Sequence, residues 1–391
     1  MLSARRVRVS YTARFATFHL LFYGSGGIFI PYLGLYLERH GLTGTQLGFL
    51  LGLLPLIGTL AQPVWSMLSD VYQIRRGVLT IACLGAAISV LSFRVVHAFG
   101  GFLIVGVLYA IMRAPILPLG NALTLDYLER EGREEDFGPL RSWGSVGFGV
   151  TSLLGATFFI KTLIDVLPII YAGLMVGLTL IGLTLPKGGA QQPARWVEGT
   201  RLLPERPRLT LFIAGAVLVI APMMTAIQYL TIFMENSGTP GWITGLAVSA
   251  MAFYEVPMML QTPRIMERAS LSRLILGGVL LAPVRWIVFS LIQASWLIIP
   301  AQLLHSITVV SLMVIGITYV DRQLPPRWRA TGQGLYTAAV FGIGPSIWQF
   351  VAGPVYENFG VRAVWLASLG ITVVGVLILG LALRKTDASA Q

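Results

Sequence analysis

The sequence predicts an all-α membrane protein with twelve transmembrane helices arranged in two six-helix bundles. Of its 391 residues, 55% are hydrophobic and only 12% are charged, whereas a soluble domain carries roughly 25% charged residues. A membrane span needs about 20 mostly apolar residues. Twelve stretches of the chain meet this requirement: 12–37, 43–68, 76–97, 100–127, 138–160, 164–185, 209–234, 243–263, 272–293, 296–320, 331–356 and 361–383.

One long polar segment divides these spans into two groups of six. It runs from Pro186 to Arg208 and is rich in Lys and Arg. We therefore predict an N-terminal bundle over 1–185, a cytoplasmic linker loop over 186–208 and a C-terminal bundle over 209–391. Two repeated bundles of this kind would place a binding site near the membrane midplane, where they meet.

The positive charges indicate membrane orientation rather than nucleic-acid binding, although the net charge is +11. Most of the 28 Lys and Arg residues fall in alternate loops, on the same side as the N-terminus. By the positive-inside rule, both termini are cytoplasmic. The basic N-terminus resembles a signal peptide, but the following apolar stretch is too long and lacks a small-residue cleavage site, so we predict an uncleaved first helix. The single cysteine, Cys83, excludes an intramolecular disulfide.

The most informative stretch joins spans four and five. Asp126 lies near the end of span four, and Arg141 lies in span five beyond a charged loop. Gly144, Gly147 and Gly149 follow at a spacing that lets membrane helices approach closely. Ionisable residues are costly in lipid unless they face each other or a watery cavity. We predict that Asp126 and Arg141 form half of a central binding site; a structural clamp between helices is the alternative.

A second acid and arginine occupy consecutive spans in the C-terminal half. Glu255 lies in span eight and Arg285 in span nine. An acid that faces an arginine can ionise at tolerable cost, and its protonation frees the arginine for an anionic solute. Asp126 and Glu255 are therefore candidates for proton coupling as well as for solute binding. Here too, a structural clamp is the alternative.

Other side chains within the spans complete the candidate solute site. Gln302 and His305 are three positions apart and so share a helix face; His305 is also a candidate for proton coupling, or for a hydrogen bond to a neighbouring helix. Arg113, in the middle of span four, is assigned to the solute pathway. Trp143 lies two residues from the span-five arginine, although most membrane aromatics serve packing. His19, near the inner end of span one, is expected to be structural.

The loop between spans two and three contains a candidate gate. Asp70 ends one span, and Arg75 and Arg76 begin the next. An acid in this position can pair with an arginine in one conformation only, which would make the loop a latch. The alternative is an ordinary positive-inside loop.

No constellation of residues indicates a membrane enzyme. The chain has neither clustered Asp residues for a metal–diphosphate nor an H-E-x-x-H helix, and its four histidines are scattered. We therefore predict no enzymatic activity, no bound metal and no cofactor, with a proton gradient as the driving force. Twelve spans also exclude a seven-span receptor.

These features together resemble the major facilitator superfamily. Residues 66–76 are similar to a degenerate form of its loop signature between spans two and three, with Ser66 in place of the leading glycine. Over nearly its whole length, the chain resembles the branch that holds the lactose permease, the nucleoside:proton symporters and the phenylpropionate permeases. The strings I-P-Y-L-G-L-Y-L-E-R-H-G and F-G-P-L-R-S-W-G-S-V-G-F are typical of that branch.

The resemblance implies roles for particular residues. Asp126 and Arg141 fall where the lactose permease has its sugar-binding glutamate and arginine. Glu255 falls on that family's substrate-binding glutamate in span eight, and Arg285 falls on its arginine in span nine. His305 matches its histidine, but Thr308 replaces its proton-carrying glutamate and Gln302 its lysine. Proton carriage would therefore move to Asp126 or Glu255. The strings Q-x-L-H-x-x-T and A-T-G-Q-G-L-Y-T are closer to the phenylpropionate-permease type.

We accordingly predict a proton-coupled symporter that takes up a small organic solute, such as an aromatic carboxylic acid, by alternating access. The excess of in-span arginines over in-span acids suits a carboxylate. The alternatives are a sugar or nucleoside symporter, in which the same side chains bind hydroxyls, and an exporter of the same fold. The predominance of Arg over Lys hints at a GC-rich bacterium and hence its inner membrane, and we expect a monomer in the lipid bilayer.

Overall fold

The computed structural model describes residues 2–186 and 205–384, and within them every regular element is a helix. The predicted all-α fold class is therefore confirmed. Most of the predicted linker loop, over 186–208, lies outside the described residues.

Ten helical stretches of the described chain are long and apolar enough to cross a membrane, where the sequence predicted twelve spans. Two features account for the difference. The helix at predicted span five, Phe137–Phe158, has 22 residues but is less apolar than the others because it begins with polar and glycine-rich sequence. One helical stretch, Thr331–Leu383, covers both predicted spans eleven and twelve, and Gly360 breaks it with φ 78° and ψ 177°. The helices are thus consistent with twelve spans.

Contacts within the chain define two compact units. The first unit consists of Met1–Leu42, Leu56–Pro193 and Pro240–Ala252. Short 3₁₀ turns at Ile30–Tyr32, Glu134–Asp136 and Ile164–Val166 link some of its helices. The helices of the first half of the chain are α1 Leu2–Phe29, α2 Leu33–Arg39, α3 Gly44–Val71, α4 Arg75–Ser92, α5 Phe99–Arg113, α6 Ile116–Glu131, α7 Phe137–Phe158 and α8 Leu167–Thr184.

The second unit consists of Thr43–Pro55, Ala194–Thr239 and Phe253–Gln391. Two π-helical segments, Ser311–Gly316 and Ala338–Ile343, interrupt its helices. The helices of the second half of the chain are α9 Pro207–Asn236, α10 Gly241–Met266, α11 Leu271–Val279, α12 Leu281–Leu291, α13 Ile298–Val310, α14 Ile317–Arg322, α15 Arg329–Thr337 and α16 Gly344–Leu383.

The unit boundaries differ from the predicted division of the chain at two helices. The beginning of α3 belongs to the second unit and the beginning of α10 to the first. At the first of these places Gly48 packs directly on Gly353 of α16, where a Cβ on either residue would overlap the other backbone. Beside this contact, Glu357 accepts a hydrogen bond from the backbone N–H of Thr45 at 2.7 Å. Two helices are thereby shared between the units.

Proline residues position two of the candidate arginines at helix breaks. Proline lacks a backbone N–H and cannot continue the helical hydrogen-bond pattern. Pro115 separates α5 from α6, so that Arg113 is the last residue of α5. The carbonyl that this break leaves free, that of Ile111, accepts a hydrogen bond from the indole N–H of Trp65 at 2.9 Å. In the second unit α12 begins at Leu281, shortly before a proline and Arg285.

Glycine residues of α7 let this helix pack closely against α1, as the sequence predicted. A Cβ on Gly147 would overlap the carbonyl oxygen of Leu20, and a Cβ on Gly144 would overlap the ring of Tyr23. Because Gly144 follows Arg141 by three positions, the same packing holds the Arg141 side chain against α1.

Candidate functional site

The second unit encloses a positive charge. Arg285 of α12 is fully buried. Its guanidinium contacts the sulfur of Met223 at 3.2 Å and the amide oxygen of Gln302 at 3.4 Å, and it lies 4.6 Å from the ring of Trp286 and 4.5 Å from that of Phe289. The Nε atom has no hydrogen-bond partner. Among the described residues, none of the ion pairs places a carboxylate on Arg285.

The ring beneath Arg285 is itself anchored. The indole N–H of Trp286 donates to the hydroxyl of Thr372 at 3.0 Å, and its ring stacks on Trp365 with centroids 5.7 Å apart. Both partners lie on α16. Phe289, one turn after Arg285 on α12, supplies the second ring. The guanidinium therefore lies over a rigid aromatic platform that holds it by cation–π contacts rather than by an opposite charge.

An acid and a histidine form the next part of this cluster. The Nε2 atom of His305 lies 3.7 Å from a carboxylate oxygen of Glu255; the histidine side chain is 2% exposed and the glutamate 24%. His305 and Gln302 lie on one face of α13, so Gln302 reaches Arg285 while His305 reaches Glu255. His305 Nδ1 and Gln302 Nε2 have no hydrogen-bond partner. Of these four side chains, Glu255 is therefore the one with the largest exposed fraction.

Thr308 contributes to packing. Its hydroxyl contacts the carbonyl oxygens of Leu304 at 2.9 Å and Gly278 at 3.0 Å. This residue therefore fastens α13 to α11. No titratable group stands at the position where the lactose permease has its proton-carrying glutamate.

In the first unit, Asp126 pairs with a different base from the one the sequence suggested. A carboxylate oxygen of Asp126 lies 3.0 Å from a guanidinium nitrogen of Arg75, with the two side chains 14% and 5% exposed. The ion pair of Asp126 is therefore with Arg75, while its place with Arg141 in a solute site stays a prediction. The reason is helix register, because Asp126 near the end of α6 is level with the first residue of α4. A cation at a helix N-terminus is unfavourable, and Asp126 compensates for it.

Two of the three candidate gate residues make contacts within the first unit. Arg75 binds Asp126, and Arg76 donates to the carbonyl oxygen of Leu185 at 3.4 Å. The side chain of Asp70 lies outside the described part of the structure. Arg75, a candidate gating residue, and Asp126, a candidate proton-coupling residue, form one ion pair.

Two further arginines of the first unit contact aromatic rings of α1. The guanidinium of Arg141 lies 4.8 Å from the ring of Tyr23, and that of Arg113 lies 4.8 Å from the ring of Phe22. Arg113 also donates from Nε to the hydroxyl of Tyr109 at 3.0 Å. Both arginines are half-buried. Neither takes part in an ion pair among the described residues.

Trp143 does not join this group. It is 48% exposed, and no contact recorded for the described residues brings it to Arg141. Conversely, Phe22, Tyr109 and Met223 contact candidate arginines but were not identified from the sequence. The consecutive aromatic residues at 22 and 23 were the available signal, although aromatic residues are too common in membrane helices for such a pair to stand out.

The charges within each unit are unevenly matched. Asp126 pairs with Arg75, and the Glu255 carboxylate lies 3.7 Å from Nε2 of His305. The three in-span arginines contact rings, a sulfur, an amide and a hydroxyl instead. Within the described chain, no group of three His, Cys, Asp or Glu residues could hold a metal ion. Ionisable groups enclosed in membrane helices are typical of solute pathways.

Membrane-spanning helices that enclose arginines and acids are typical of solute transporters. The chain belongs to the MFS_1 like family, whose model matches residues 12–367. The predicted resemblance to the major facilitator superfamily is confirmed.

Curated relatives of this chain transport different classes of solute. It is 28% identical to the maltose permease of Geobacillus stearothermophilus, over 96% of this chain and 95% of that one. It is 24% identical to the "Probable 3-phenylpropionic acid transporter" of Escherichia coli (strain K12), over 90% of this chain and 93% of the relative.

Solved structures share the fold at lower sequence identity. The nucleoside transporter NupG has a TM-score of 0.84 at 19% identity, over 96% of this chain and 99% of that chain. A D-xylose-proton symporter has a TM-score of 0.70 at 14% identity, over 95% of this chain and 97% of that chain. These matches establish the architecture.

Proposed function

We propose that this protein is a proton-coupled symporter that imports a small organic acid, an aromatic carboxylate above all, across a bacterial inner membrane by alternating access. The observation that carries the proposal is the mismatch of charges. Arg113, Arg141 and Arg285 contact rings and neutral polar groups, whereas Asp126 pairs with Arg75 and the Glu255 carboxylate lies 3.7 Å from the ring of His305. A solute carboxylate would supply the missing negative charge.

The surroundings of the first-unit arginines favour an aromatic acid. Arg113 and Arg141 are half-buried, and their guanidinium groups lie over Phe22 and Tyr23, whose ring centroids are 5.2 Å apart. A guanidinium can bind a carboxylate through two parallel hydrogen bonds. Rings beside it can take the aromatic ring of the same solute in edge-to-face contact.

In the second unit Arg285 is enclosed, so a solute reaches it only after the helices around it move. Such movement is what alternating access requires of a transporter. Glu255 is the accessible member of this cluster, and its carboxylate lies beside His305. We assign proton coupling to these two groups, because protonation of Glu255 would remove the negative charge beside His305 and so favour a solute anion at Arg285.

The Asp126–Arg75 pair provides a second proton-sensitive point. Protonation of Asp126 would release Arg75 at the start of α4, which combines proton coupling with the gating role expected for Arg75 and Arg76. We further propose a monomer with both termini in the cytoplasm, which the distribution of Lys and Arg supports.

The Glu255→Gln variant is expected to lose coupling but keep solute movement. Gln preserves the size and the hydrogen-bonding capacity of the side chain but cannot ionise. We expect solute-driven proton influx into proteoliposomes, followed with an internal pH dye, to fall about tenfold or more. Exchange of labelled solute without a proton gradient should stay within about threefold of the wild type, since exchange needs no net proton transfer.

The matched control is Glu267→Gln, at an exposed acid just after α10, which should leave both measurements unchanged. Full proton influx in Glu255→Gln would contradict the assignment to Glu255. The same experiment on Asp126→Asn would then show whether the first unit carries the proton.

The substrate class is tested by comparing 3-phenylpropionate, maltose and xanthosine. A ligand that binds only the folded protein raises its thermal unfolding midpoint, so the first measurement is the midpoint of purified protein with each solute. The second is proton influx into proteoliposomes, with protein-free liposomes as the baseline because undissociated aromatic acids cross lipid unaided. Stabilisation and proton influx with the acid alone would support the proposal.

A neutral solute is the second candidate function. The similarity to the maltose permease over 96% of this chain favours it, and the side chains of Gln302, His305 and Glu255 could hydrogen-bond to hydroxyl groups. Stabilisation and proton influx with maltose or xanthosine, and none with the acid, would replace the carboxylate proposal. Solute extrusion driven by an inward proton gradient, opposite in direction to the solute movement, would indicate an exporter.

A further inference from the structure

His19 of α1 is a buried histidine with an unused hydrogen-bonding atom. Its side chain is 0% exposed, and its ring lies edge-on to Phe18 and Phe137, with centroids 5.5 and 6.4 Å away. The Nε2 atom lies 3.4 Å from the hydroxyl oxygen of Thr124. The Nδ1 atom has no partner. Packing accounts for the ring but not for Nδ1.

The contact with Thr124 determines which nitrogen carries the proton. The Thr124 hydroxyl has one hydrogen, which it donates to the carbonyl oxygen of Gly120 at 2.7 Å. Towards His19 it therefore presents a lone pair, and Nε2 must be the protonated nitrogen of the neutral ring. Nδ1 is then a bare acceptor, buried and without a donor.

Arg141 is a donor that complements this acceptor. Its guanidinium lies over the ring of Tyr23 and makes no hydrogen bond among the described residues. Tyr23 is one helical turn after His19 on α1. Phe137, the residue that meets the His19 ring, is one turn before Arg141 on α7. His19 and Arg141 therefore belong to the same short section of the α1–α7 contact.

We propose that His19 is a positioning residue for Arg141, whose guanidinium alternates between the Tyr23 ring and the Nδ1 atom of His19. When it is hydrogen-bonded to Nδ1, the guanidinium does not bind a solute. When it lies over Tyr23, its N–H groups are free to bind a ligand. A change in the Arg141 side-chain rotamer is sufficient, because the two partners are one turn apart. The consequence for solutes rests on the proposed function, in that a solute carboxylate would compete with His19 for Arg141.

The experiment uses the chemical reactivity of Arg141 and needs no substrate. The full-length protein in proteoliposomes is treated with phenylglyoxal, which modifies accessible guanidinium groups, and the modification rates of Arg141 and of the exposed Arg268 are measured by mass spectrometry. Arg268 serves as the internal reference. In His19→Gln the amide lies at the position of Nε2 and no acceptor remains at Nδ1, so the rate at Arg141 should rise about threefold or more. In His19→Asn the amide oxygen replaces Nδ1, so the rate should match the wild type.

A merely structural role predicts a different result, because both variants lose the ring contacts with Phe18 and Phe137 alike. Equal rates at Arg141 in His19→Gln and His19→Asn would therefore overturn the proposal. Thr124→Val and Thr124→Ser provide a second test that leaves His19 in place. Val removes the acceptor that selects the tautomer and should raise the rate as His19→Gln does, whereas Ser should not; equal rates in this pair would also contradict the proposal.

The same assay separates this inference from the proposed function. Adding 3-phenylpropionate should protect Arg141 in the wild type if a carboxylate binds there. Absence of protection in every variant would count against carboxylate binding at Arg141, while the comparison of His19→Gln with His19→Asn would still test the role of His19. Protection together with equal rates in the two variants would support carboxylate binding and overturn the positioning role of His19.

Discussion

Replacing Arg285 by Met is expected to stabilise the folded protein and at the same time to abolish solute uptake. The guanidinium is fully buried and lies on neutral partners. Replacing buried charges by apolar side chains of similar volume is often stabilising, by about 1–4 kcal/mol. Truncating a buried hydrogen-bonded charge partner costs binding about 2–5 kcal/mol, so we expect uptake to fall at least about 30-fold.

The measurements are the thermal unfolding midpoint in detergent and the initial rate of labelled-solute uptake into proteoliposomes. Arg268→Met, at an exposed position, is the matched control and should change neither. Arg285→Lys keeps the charge but loses the planar fork, so it should reduce uptake without the gain in stability. A lowered midpoint in Arg285→Met would show that the contacts to Met223 and Gln302 make Arg285 a structural clamp.

The helices of this protein follow from hydropathy, and the exceptions have local causes. Phe137–Phe158 is helical although its sequence is less apolar, since its glycines serve close packing against α1 rather than contact with lipid. Spans eleven and twelve form one helical stretch because a single residue, Gly360 with a φ of 78°, marks the boundary between them. A glycine is visible in the sequence, but whether it ends a helix or only bends it depends on tertiary packing.

The partners of the charged side chains could be predicted only where the spacing lies within a single helix. Gln302 and His305 needed only the α-helical period to be placed on one face. The partner of Asp126 needed the register between α4 and α6, and Arg75 is 51 positions away in the chain. Hydropathy tolerates a shift of several residues along a span, whereas an ion pair does not, so hydropathy could not identify Arg75 as the partner of Asp126.

The Asp126→Asn variant is expected to destabilise the protein by about 3–5 kcal/mol, because it removes one charge of a buried ion pair. Arg75 is 5% exposed and begins a helix, where the backbone dipole disfavours a cation and the nearby Asp126 carboxylate offsets that cost. Glu129→Gln, at an exposed acid three positions along the same helix, should have little effect. The measurement is the free energy of unfolding from denaturant titration of the purified protein.

A double-mutant cycle then separates the pair from its surroundings. Arg75→Gln alone should also destabilise, while Asp126→Asn with Arg75→Gln should recover much of the loss, giving a coupling energy of about 1–3 kcal/mol. A coupling energy near zero would mean that the 3.0 Å contact contributes nothing to stability and that each side chain acts through other partners.

Transport by the doubly neutral variant decides what the pair is for. If Asp126 and Arg75 only fasten α6 to α4, restoring stability should restore proton-coupled uptake as well. If the pair opens and closes with protonation, the double variant should be stable and still unable to couple solute to protons, because a pair that cannot ionise cannot be released by a proton. Stability and proton coupling are measured independently on the same protein. Recovery of stability without recovery of coupling would therefore show that Asp126 has a functional role in addition to fastening α6 to α4.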